Sequence, residues 1–133
     1  MARALNGSDR WWMMAPRMPW QLAVAYFFGG ALVANALPHL LSGASGRPLE
    51  TPFASPPFKG LSSPTVNVAW SLFNVAVAYV LLVPVGKLDL RDWAQAAVCF
   101  AGFGAMALKS ARSFGRLRRE RLDEPRSPPT GDP

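Results

Sequence analysis

The chain has one cysteine and one histidine in 133 residues. A single thiol, Cys99, excludes an intramolecular disulfide framework. One Cys with one His also argues against a self-contained Cys/His metal site. Acidic residues are scarce, eight against fourteen Lys and Arg, and none falls in the three longest apolar stretches. Without a carboxylate inside a span, a proton-coupled pump lacks its usual relay group. No phosphate-binding glycine loop, nucleophile with its base, or carboxylate pair at catalytic spacing occurs. These absences predict a protein without catalytic activity, metal or cofactor.

What the chain does have is length without charge. Trp20–Leu41 and Thr65–Val85 carry no formally charged residue, and each is long enough to cross a bilayer, which takes about 20 residues. A third stretch, Trp93–Leu108, is uncharged but covers only about 24 Å at 1.5 Å per residue, short of the ~30 Å hydrocarbon core. Lys109 can snorkel outward, and Ser110 and Ala111 can prolong the helix. A full crossing is the expectation, with a re-entrant or surface helix as its alternative. The fold class is all-α membrane, with three transmembrane helices. Its segments are an interfacial lead-in rich in Trp and Met (1–19), a first span (20–41), a Pro/Gly/Ser-rich loop (42–64), a second span (65–85), a short connection (86–92), a third span (93–111) and a basic, then disordered, tail (112–133). The short connection makes the second and third helices antiparallel neighbours.

Charge supplies an orientation. Lys109, Arg112, Arg116, Arg118, Arg119, Arg121 and Arg126 follow the last apolar stretch. Such a cluster suits nucleic acid, but its juxtamembrane place favours anionic lipid headgroups instead, met by Arg112, Arg116, Arg118, Arg119 and Arg121. A cytoplasmic tail puts nine Lys and Arg inside, counting Arg47 and Lys59, against five outside. The positive-inside bias then places the N-terminus outside, although Arg3, Arg10 and Arg17 pull the other way. Ala34-Asn35-Ala36 resembles a signal-peptide cleavage site. Cleavage would leave the basic tail on the far side of the membrane, so an intact first span is the expectation.

Polar side chains gather at one membrane boundary. Asn35, His39 and Ser42 share a face of the first helix, and Asn67, Ser71, Asn74 and Ala78 form a stripe on the second. Because a loop joins the two helices, Asn35 lies about 9 Å inward, near the level of Ser71, at 1.5 Å per residue. Asn35, His39, Asn67, Ser71 and Asn74 are therefore the candidate cluster. It serves either as hydrogen-bonded glue between helices or as a pocket for a headgroup, ion or polar ligand, with His39 as a possible relay. Pro38 is expected to kink or end the first helix near Leu37 and to free a carbonyl for Asn67 or Ser71. Ala25/Gly29, Gly30/Ala34 and Ala97/Ala101/Ala105 have the four-residue spacing of close helix contacts. Phe53, Phe58 and Leu61 are expected to seat the loop on the bilayer or the helix ends.

Asn35-Ala36-Leu37-Pro38-His39, Thr51-Pro52-Phe53-Ala54 with Pro56-Pro57, Leu61-Ser62-Ser63-Pro64 and Asn67-Val68-Ala69-Trp70 together resemble a pattern in small, uncharacterised bacterial membrane proteins. The likeness covers the first helix, the loop and the start of the second helix. It implies a bacterial cell-membrane protein and no mechanism. The functional expectation is an accessory or adaptor subunit acting through helix packing and anionic lipid. It would work by self-association or on a larger membrane protein. The alternatives are an oligomeric transporter or channel with an Asn/Ser-lined path, and a membrane enzyme using His39.

Overall fold

A computed structural model describes residues 18–123 of the chain. The expected lead-in up to Arg17 and the Pro-rich end from residue 124 lie outside the described residues. The element order is α1 (Trp20–Ala44), a minimal antiparallel pair β1 (Leu49–Glu50) and β2 (Leu61–Ser62), α2 (Pro64–Val80), a π-helical turn (Leu81–Val85) and α3 (Trp93–Asp123). The three helices are each long and apolar enough to cross a membrane, the second counted through Val85.

Capping chemistry explains the boundaries. Pro64 opens α2, where its missing N–H costs nothing, and the Ser63 hydroxyl accepts from the Val66 N–H at 3.4 Å. Asp92 caps α3 by accepting from Ala94 at 2.9 Å, while the Gln95 side chain donates back to Asp92 at 2.9 Å. At the end of α1, Gly46 takes φ +69° and donates to the Gly43 carbonyl, while Arg47 donates to Ser42. That left-handed position suits glycine.

Two helices run differently from the expectation. α1 continues through Pro38 to Ala44, so of the two expected effects of the proline, a kink or an end near Leu37, the end does not occur. A hydrogen bond from Ser71 Oγ to the Ala36 carbonyl, at 2.9 Å, supports the backbone beside the proline. The third helix does not stop at residue 111: α3 runs on to Asp123, so the basic residues 112–121 lie on helix rather than in an irregular tail. At 1.5 Å per residue its 31 residues measure about 46 Å, well beyond the hydrocarbon thickness. Pro84, which lacks a donor, sits inside the π-helical turn closing the second span.

α1 is the hub. α2 and α3 both pack against it and scarcely touch each other, so the short connection does not make them the expected packed neighbours. Glycines set these contacts, because a Cβ on Gly30 would strike the Cys99 carbonyl and one on Gly102 the Phe27 carbonyl. Gly29 seats the Leu82 side chain, and Gly43 approaches Pro64 and Val68. By contrast, Ala97, Ala101 and Ala105 are exposed and face away from the bundle. Tyr26 is buried, and its hydroxyl donates to the Gly86 carbonyl at 2.7 Å. That bond ties the start of α1 to the end of the second span.

Candidate functional site

The polar residues of α1 and α2 meet along their seam as three rungs. Nearest the loop, His39 Nδ1 lies 2.8 Å from Asn67 Oδ1. Next, Ser71 reaches the Ala36 carbonyl. Deepest, Asn35 Nδ2 donates to Asn74 Oδ1 at 3.1 Å. Asn67, Ser71 and Asn74 are almost wholly buried, and among the described residues every buried side-chain nitrogen or oxygen has a hydrogen-bond partner. The α-helical spacing of the stripe turns all of its members to α1, which is why they converge.

Asn67 also organises the loop. Its Nδ2 faces three carbonyls, those of Leu49 at 3.2 Å, Ser62 at 3.1 Å and Ser63 at 3.1 Å. This fixes the amide with its oxygen toward His39, so the imidazole donates from Nδ1. One side chain thus joins α1, β1 and β2 to α2. Thr51 and Ser62 complete the buried polar layer through a mutual hydroxyl contact. Phe53 stacks edge-on against Trp70, with ring centroids 5.3 Å apart, and seats the loop on α2.

Opposite this layer, Arg121 of α3 pairs with the buried carboxylate of Glu50 and donates to the Lys59 carbonyl at 3.0 Å. Arg121 therefore has a structural partner. Arg112, Arg118 and Arg119 are exposed, while Arg116 stands 3.9 Å from Glu120, one turn along the same exposed face.

Because α2 and α3 stand apart, a cavity of about 770 Å³ opens between them on α1, under the loop. Leu32, Phe73 and Met106 line its apolar part, with Asn35, His39 and Asn74 on the seam beside it. Lys109, Ser110, Ser113 and Arg116 line the α3 wall, and Glu50, Lys59 and Glu120 lie toward the loop. His39 meets the Phe114 ring edge-on, with centroids 6.1 Å apart. Among the described residues no group of three or more His, Cys, Asp or Glu gathers to hold a metal ion.

Sequence reasoning gave Thr51, Ser62 and Trp70 only as members of the resemblance pattern, and it missed Glu50 and the α3 wall as cavity linings. A signal existed for both. Glu50 is the lone acid in the loop, on the same side as a dense basic run. Lys109, Ser113, Arg116 and Glu120 recur at spacings of three and four, which puts them on one helix face. No protein-family model, no curated protein and no solved structure matches the chain.

Proposed function

We propose that the chain is a non-enzymatic integral membrane protein that acts by binding, as an accessory or adaptor subunit in the cell membrane. It would dock through the outer faces of α2 and α3 and meet anionic lipid with the basic end of α3. One observation supports this reading: the polar groups of the stripe bond across the α1–α2 seam, Asn35 to Asn74, His39 to Asn67 and Ser71 to the Ala36 carbonyl, and among the described residues no fully buried side-chain nitrogen or oxygen lacks a partner. Asn35, His39, Asn67, Ser71 and Asn74 hold α1 to α2, which supports the glue role. An Asn/Ser-lined permeation path that includes Asn67 and Ser71, the competing reading, would have to part this seam and strand those buried groups. The exposed Ala97, Ala101 and Ala105 row offers a smooth helix face to another membrane helix. In this reading the loop and the basic end of α3 are cytoplasmic, by the same Lys and Arg bias.

Purification of the full chain in mild detergent tests the adaptor reading. A stoichiometric larger membrane protein is expected, and Ala101→Leu should release it. A lone homo-oligomer that conducts ions or solutes after reconstitution would overturn it. Binding to anionic vesicles should weaken steeply with salt, and salt-insensitive binding would remove the headgroup role.

A further inference from the structure

We infer that the cleft between α2 and α3 is a site for one anionic phospholipid, its phosphate held by Lys109, Ser113 and Arg116. This rests on the lipid-binding reading above and gives it a place and a stoichiometry. The cleft exists because both flanking helices pack on α1 and leave a gap between themselves. Its volume, about 770 Å³, lies within the ~300–1,000 Å³ of small-ligand sites. That accommodates a headgroup, its glycerol and the first part of the chains, with the remainder in the bilayer.

Chemistry changes along the cleft as it does along a lipid. The α3 wall runs from Met106 through Lys109 and Ser113 to Arg116, so apolar gives way to cationic over ten residues, about 15 Å. Phe114 marks the level of His39, which puts Lys109 about 7.5 Å deeper, at 1.5 Å per residue. A cation at that depth, beside an apolar recess formed with Phe73 of α2, suits a phosphate that arrives attached to acyl chains. A soluble anion would leave the recess unfilled.

The charge balance also selects an anion. Glu50 is neutralised by Arg121, and Glu120 stands 3.9 Å from Arg116. Among the described residues neither Lys59 nor Lys109 has a carboxylate within ion-pair distance. Serine hydroxyls on the same wall can donate to phosphate oxygens, and bonds to an ionised acceptor are the strong ones.

The test is lipid retention by the full chain. The protein is reconstituted in phosphatidylcholine nanodiscs carrying a minority of phosphatidylglycerol, released into detergent, and its bound lipid counted by native mass spectrometry. One phosphatidylglycerol per chain is expected to persist. The double variant Lys109→Gln/Arg116→Gln should lose about tenfold or more of that preference, since each basic group near an anionic headgroup contributes on this scale. The double variant Arg112→Gln/Arg119→Gln, outside the cleft, removes the same charge from the general lipid contact and should lose clearly less of it. Ser113→Phe fills the cleft with every charge in place and should also expel the lipid. Equal losses in the two double variants, or retention in Ser113→Phe, would overturn the site while leaving general lipid contact standing. A wild-type chain with no preference for phosphatidylglycerol would overturn both.

Discussion

Asn35 donates to Asn74 at 3.1 Å across the α1–α2 seam, and Asn74 donates in turn to the Trp70 carbonyl at 2.7 Å. The second bond reaches one turn back along α2 and aims the Asn74 oxygen at α1. A polar pair at this depth thus fixes both the register and the rotation of the two helices.

Replacing either partner leaves the other polar in an apolar seam. Asn35→Leu and Asn74→Leu should each lower stability by about 1 kcal/mol, with a coupling of about 0.6–1.7 kcal/mol in a double-mutant cycle. Denaturation of the reconstituted protein with an ionic detergent reads this directly. Strictly additive effects would mean the amides act separately.

Asn67 is held by a different logic, since its two amide hydrogens face three carbonyls while its oxygen accepts from His39. Asn67→Asp places a carboxylate oxygen where a donor is required. Asn67→Ala removes donor and acceptor together. Both should loosen the loop, and Asp should be the worse, because an acceptor forced against carbonyls adds repulsion to about 1–3 kcal/mol for each stranded group. Amide hydrogen exchange across residues 49–63 should rank them in that order. An Asp variant as protected as wild type would contradict the amide orientation.

Close backbone contacts predict a sharp contrast among glycines of α3 and α1. Gly30→Ala and Gly102→Ala put a methyl into a facing backbone carbonyl, which cannot move aside as a side chain would. Each should cost about 1–3 kcal/mol, the usual range for overpacking. Gly104→Ala meets nothing within 4 Å and should be neutral or slightly stabilising, by the helix preference for Ala. The same unfolding measurement compares all three, and equal effects would remove the packing argument.

The spans and the polar seam were legible because each follows from one simple rule. Uncharged length gave the three apolar helices, and helical spacing put Asn35, His39, Asn67, Ser71 and Asn74 on facing stripes. Partners distant in sequence were not legible. Glu50 and Arg121 are 71 residues apart, and nothing local in either segment reveals that they meet. The end of α3 was misread because hydropathy falls after Leu108, whereas backbone bonding continues into water without needing apolar side chains. Its start had an overlooked signal, Asp92 followed three residues on by Gln95. The small-residue rule found Gly30, but on α3 it marked the Ala97 row, which points outward, and missed Gly102, which makes the contact with α1.

The Glu50–Arg121 pair should respond asymmetrically to loss of one partner. Glu50 keeps only 6% of its side chain exposed, whereas Arg121 keeps 41%. Arg121→Gln therefore leaves a buried carboxylate without its cation, while Glu50→Gln leaves a guanidinium that water and the Lys59 carbonyl can still satisfy. The first should destabilise the loop by about 1–3 kcal/mol and the second by clearly less, following the cost of an unpaired buried charge. Limited proteolysis at the exposed Phe58, and hydrogen exchange at Leu61 and Ser62, should both rise more in Arg121→Gln. Because the carboxylate is buried, added salt should narrow the difference only slightly. Equal effects would show that Glu50 reaches water after all, and that the end of α3 leans on the loop without holding it.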